Sequence, residues 1–123
     1  MEFVEGQTLD EILKKSKLKI VRLVPIIIRI AEAVDFAHNQ GIIHRDLKPA
    51  NIMIDQFRRP IIMDFGIARM QGSTATLTQR GMGLGTPAFM APEQALGRGD
   101  EVGPASDLYA VGAMLYLMLT GQI

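Results

Sequence analysis

His44-Arg-Asp-Leu-Lys-Pro-Ala-Asn51 sets an aspartate and an asparagine five positions apart on what reads as a tight loop, and Asp64-Phe-Gly66 begins 13 positions after Asn51. A third block, Gly85-Thr-Pro-Ala-Phe-Met-Ala-Pro-Glu93, follows in the same chain. Phosphoryl transfer needs an acidic group that orients and deprotonates an attacking hydroxyl. It also needs oxygen ligands that hold magnesium over the phosphates. Asp46 suits the first task, and Asn51 with Asp64 suits the second. Each motif alone is an ordinary turn. Three of them in this order and at these separations require a common cause.

Taken together, these blocks resemble the catalytic half of a eukaryotic-like (Hanks-type) serine/threonine protein kinase of the bacterial kind, over nearly the whole chain. The resemblance implies an α+β, mainly helical fold: part of a kinase C-lobe with a small β-hairpin at the active site. It places a hinge at residues 1–6, and the C-lobe helices, catalytic loop and activation segment at 7–123. Asp46 is then the catalytic base, and Lys48 sets a cation near the transferring group. Lys48 also favours serine and threonine as acceptors over tyrosine. Thr86 belongs to the substrate-binding loop. Met1, Glu2 and Val4 line the adenine pocket from the hinge, with Met53 beneath the ring. His44 anchors the loop from the core, Phe65 packs so as to aim Asp64, and Asp107 accepts hydrogen bonds from the catalytic-loop backbone. Glu93 awaits an arginine further along the family's sequence. Asp107 also reads more simply as a helix cap. ATP and Mg2+ are the implied cofactors, and proteins bearing serine or threonine the implied partners.

The chain departs from that pattern by what it omits. No glycine-rich loop precedes the hinge positions, and no strand lysine with a helical glutamate partner is present. The N-lobe and the later part of the C-lobe are therefore expected to lie outside these residues, and the 123-residue chain alone is expected to lack turnover. Two rivals stand beside the enzyme: a non-catalytic kinase remnant serving as a binding module, and a small-molecule kinase of related fold. Intact Asp46, Asn51 and Asp64 oppose the first. The Ala91-Pro-Glu93 block and Thr86, which build a peptide groove, oppose the second.

Composition narrows the partners. Thirteen basic and 13 acidic residues balance, so nothing selects nucleic acid or an anionic surface. Cysteine is absent, which removes disulfides and thiolate chemistry and fits a cytoplasmic location, although a longer parent could still be membrane-anchored. Val21–Ile30 is broken by Arg22, Pro25 and Arg29, and Leu108–Leu119 is short of the ~20 residues that span a bilayer.

Local pattern predicts the elements. Thr8 and Glu11 form a capping box opening a helix from about Leu9 to Ser16. A second helix from about Val24 to Asn39 has Pro25 in its first turn, and Leu23, Ile27, Ile30, Val34 and Ala37 along one buried stripe. His38 is expected to pack or cap near its end. Ile52–Ile54 and Pro60–Met63 read as a hairpin. A last helix, capped by Ser106 or Asp107 and running to about Leu119, is apolar nearly all round and expected to be buried on every side. Residues 71–82 read as a loop whose Thr74, Thr76 and Thr78 are phosphorylation candidates. Arg45 has no acidic neighbour except Asp46 and is the expected phosphate partner.

Overall fold

The computed structural model describes residues 6–15, 17–65 and 87–122. Thr8 and Glu11 close the chain into its first helix: the Thr8 hydroxyl accepts from the Glu11 N–H at 3.2 Å, and the Glu11 carboxylate from the Thr8 N–H at 3.0 Å. This helix, α1, spans Leu9–Lys15, and Lys14 pairs with Asp10 one turn back at 2.7 Å. Just before it, Gly6–Thr8 forms a strand, β1, which pairs antiparallel with β2 (Ile52–Asp55). The sheet is completed by β3 (Pro60–Ile62) and has the order β1-β2-β3.

The third strand is an addition to the expected hairpin. Gly-Gln-Thr carries no alternating apolar pattern, so its pairing is visible only once β2 lies beside it. Gly6 is required there: a Cβ at that position would collide with the Ile54 carbonyl oxygen.

The long helix α2 spans Ile20–Asn39 and begins four residues earlier than the proline suggests. Arg22 and Leu23 donate to the Lys19 carbonyl at 2.8 and 3.2 Å, and this extra turn buries Leu23. Pro25 is thus inside the helix. It removes the N–H that would reach the Val21 carbonyl, but Val21 is 82% exposed and water can meet that oxygen. Leu23, Ile27, Ile30, Val34 and Ala37 are all buried, joined by Ile26, while Arg29 and Glu32 face outward. Gly41, at φ 74°, turns the chain out of the helix.

Beyond the short helix α3 (Pro92–Ala95), α4 runs from Pro104 to Thr120 and packs against α2. It starts before the expected cap, because Pro104 presets the first helical φ and the Ser106 hydroxyl accepts from the Gly103 N–H at 3.2 Å. Ser106 and Asp107 therefore lie within its first turns. The core is one cluster in which Met114, Met118 and Ala110 of α4 meet Ile30, Leu23 and Leu9, with Leu47 and Ile52 beneath the loop. Burial of α4 on all sides does not hold among the described residues. Leu108, Tyr109, Tyr116 and Leu119 remain 47–58% exposed, since α2 covers a single face.

Candidate active site

The segment between α2 and β2 is short and polar, so its conformation depends on what grips its backbone. Arg45 sits at φ 71°, a region non-glycine residues seldom occupy. Its N–H donates to Asp107 Oδ1 at 2.8 Å, and the His44 N–H donates to Asp107 Oδ2 at 2.8 Å. Asp107 is 2% exposed, and its Oδ2 also meets His38 Nε2 at 2.8 Å. A buried carboxylate costs dearly unless bonded, and these three donors supply what water would have given.

His44 is buried as well, and its ring bridges the catalytic loop and the end of the hairpin. Its Nδ1 accepts from the Asp46 N–H at 3.2 Å, while Nε2 lies 2.8 Å from the Met63 carbonyl oxygen. A backbone N–H only donates and a carbonyl only accepts, so the proton resides on Nε2. With both nitrogens engaged, His44 has no free position for acid–base work. Phe65 packs on this ring, with centroids 4.8 Å apart at 58°.

Asn51, in the 3-10 turn Pro49–Asn51, is buried and donates its amide to Asp46: 2.7 Å to the carbonyl and 3.4 Å to Oδ2. Both partners are acceptors, which fixes the amide nitrogen and leaves Oδ1 as a hard oxygen donor for a cation. Met63 N–H donates to the Asn51 carbonyl at 2.8 Å, so the residue before Asp64 is tied to Asn51 itself. Asp64 is exposed, with φ 55°. An amide oxygen and a carboxylate suit Mg2+, which takes few protein ligands and completes its shell with phosphate and water oxygens. No group of three or more His, Cys, Asp or Glu gathers among the described residues.

Asp46 contrasts with its surroundings. Its side chain is 64% exposed and meets Lys48 Nζ at 3.5 Å. Met53 is half-buried in β2, opposite Ile61 and Thr8. Glu93 accepts from the Ser106 hydroxyl, and that bond, more than its own backbone, holds its carboxyl below the usual range. Met1, Glu2, Val4, Thr74, Thr76, Thr78 and Thr86 lie outside the described residues.

Three groups escape notice in the sequence: His38 as a ligand of Asp107, Ser106 as the partner of Glu93, and Gln94. The last donates from Nε2 to the Arg45 carbonyl at 2.6 Å. Separations of 69, 13 and 49 residues leave no local trace.

The protein kinase domain family matches residues 1–123. The chain belongs to this family. It is similar to the probable serine/threonine-protein kinase PknB of Bifidobacterium longum, 46% identical over 124 residues that cover 99% of this chain and 18% of that protein. It is similar also to the serine/threonine-protein kinase pkn3 of Myxococcus xanthus, 45% over 131 residues, covering 100% and 24%. With the serine/threonine-protein kinase PknB of Mycobacterium tuberculosis it shares 44% over 124 residues, covering 99% and 20%. The chain spans about a fifth of the length of the curated relatives it matches. Protein kinases in general use ATP and Mg2+. No helix among the described residues of this kinase chain is long and apolar enough to cross a membrane.

Proposed function

We propose that residues 1–123 form the catalytic half of a serine/threonine protein kinase domain, which moves the γ-phosphoryl group of ATP to serine or threonine hydroxyls of proteins. One observation carries the reading. The Asp46 backbone is held at both ends, while its carboxylate stays exposed beside Lys48 and faces the Asn51 amide, whose oxygen accepts no hydrogen bond among the described residues.

In this reading the acceptor hydroxyl donates to Asp46, which fixes the oxygen in line with the phosphorus and takes its proton as the new O–P bond forms. The bond from phosphorus to the β-phosphate oxygen breaks, and ADP leaves with that electron pair. Lys48 offsets charge on the transferring group. Asn51 Oδ1 and the Asp64 carboxylate would hold Mg2+, which when bound neutralises the phosphates. Thr86 would complete the acceptor groove, and Met53 with Met1, Glu2 and Val4 the adenine pocket. A glycine-rich loop and a strand lysine are not within these residues, so the 123-residue chain by itself is proposed to be inactive.

The test uses the full-length protein that carries this sequence. Asp46→Asn is expected to lower kcat by about 100-fold or more, the usual range for losing a positioned base, with ATP affinity retained. Unchanged turnover in that variant overturns the reading. Turnover by the 123-residue chain, abolished by the same substitution, overturns its proposed inactivity.

A further inference from the structure

We propose that Gln94 is a positioning residue for phosphoryl transfer, gripping from α3 the peptide unit that carries Asp46. This deepens the reading above and rests on Asp46 being the catalytic group. The peptide between Arg45 and Asp46 offers one carbonyl and one N–H. Its N–H donates to His44 Nδ1 at 3.2 Å, and its carbonyl accepts from Gln94 Nε2 at 2.6 Å. The plane of that peptide is thus held at both ends. Its orientation sets the ψ of Arg45 and the φ of Asp46, and through them the direction of the Asp46 carboxylate.

The grip matters because Arg45 is left-handed, at φ 71°, and does not stay so unaided. Asp107 Oδ1 holds the N–H on the near side of Arg45 and Gln94 holds the carbonyl on the far side. The two anchors come from different helices, and those helices are tied to each other by Glu93 accepting from Ser106. Catalytic loop, α3 and α4 therefore close a polar ring, and Gln94 is its direct link between α3 and the loop.

The Gln94 amide is used at both ends, which makes its role separable from helix capping. Its Oε1 accepts from the Ala91 N–H at 3.2 Å, while Nε2 serves Arg45. Gln94→Glu keeps the acceptor for Ala91 and sets a carboxylate oxygen against the Arg45 carbonyl. Gln94→Lys keeps a donor for Arg45 and drops the acceptor for Ala91. Positioning and capping predict opposite orders for this pair.

The experiment measures kcat, KM for ATP, melting temperature and peptide-resolved amide exchange over residues 44–47 in the full-length protein. Gln94→Glu is expected to lower kcat about tenfold or more, as small misplacements of a reacting group do. KM for ATP and melting temperature should hold, and exchange of the loop should quicken. Gln94→Lys should restore both the rate and the slow exchange. If Gln94→Glu is fully active, or if both variants fail alongside a lowered melting temperature, the role is capping or bulk stability and the proposal falls. Absence of turnover in the unmutated protein would strike at the kinase reading alone. The exchange data would still decide whether Gln94 holds the loop.

Discussion

Removing the Asp107 carboxylate should destabilise the protein through groups that the substitution leaves untouched. In Asp107→Ala the His44 N–H, which is buried, and the Arg45 N–H, half-buried, lose their acceptors, as does His38 Nε2. Each stranded buried donor costs about 1–3 kcal/mol, so the two amides together cost about 2–6 kcal/mol. Partial exposure of Arg45 pulls its share toward the lower end. A domain has only about 5–15 kcal/mol in all, so the loss is a large fraction of it. Asp107→Asn keeps one acceptor oxygen and turns an N–H2 toward a donor, so it should cost about half as much. Urea unfolding of the full-length protein measures both, read as a shift in midpoint at constant slope. A loss below about 0.5 kcal/mol for the alanine variant, the scatter of an ordinary surface change, would refute the reasoning.

Three further outcomes are expected. Asp55 is held below its ordinary value of 3.8, first by the Arg59 backbone N–H, so its stabilisation is present above that value and lost as pH falls through the depressed one. Asp55→Asn should therefore lower stability at pH 7 and flatten part of the acid limb of a stability–pH curve below about pH 4, where the wild-type carboxylate loses its advantage anyway. Gly6→Ala should cost about 1–3 kcal/mol and speed amide exchange across the β1–β2 pair, because the new Cβ meets the Ile54 carbonyl. Autophosphorylation mapped by mass spectrometry should fall on Thr74, Thr76 or Thr78, since Arg45 has no ion-pair partner among the described residues and a phosphate accepts bidentate bonds. Replacing all three threonines with alanine should slow the full-length enzyme, and an unchanged rate defeats that reading.

What the sequence made legible divides by range. The α2 stripe from Leu23 to Ala37 and the Thr8–Glu11 box are written within a turn or two of helix, and both appear as read. The β2–β3 hairpin is equally local, its turn closed by Asp55 accepting from Phe57 and Arg59. β1 was illegible because its partner strand lies 45–49 residues on, as Gly6 with Asp55 and Thr8 with Met53 show. The start of α2 lies before the place that local pattern marks, because Pro25 is a strong local boundary signal and burial of Leu23 in the shared core overrides it. The exposed side of α4 follows the same rule. Apolar composition announces a wish to be covered, but only packing decides which face is.

The same division runs through the candidate site. Residues given chemistry in the proposal sit in contiguous motifs, and their spacing alone suggested their tasks. Residues that hold those motifs in place come from afar: Asp107 reaches 62 and 63 positions back to Arg45 and His44, and Gln94 reaches 49 back to Arg45. This follows from what a reacting carboxylate needs. The Asp46 backbone is fixed, its N–H by His44 and its carbonyl by Asn51, yet among the described residues its side chain meets only Asn51 at 3.4 Å and Lys48 at 3.5 Å. Contacts that long restrain the carboxylate without occupying it, so an incoming hydroxyl can compete for its oxygens. A short bond to Asp46 from within the loop would hold it more firmly and block the substrate. Rigidity is imposed instead on the peptide units around it, by His44 and Asn51 within the loop and by Gln94 and Asp107 reaching in from α3 and α4.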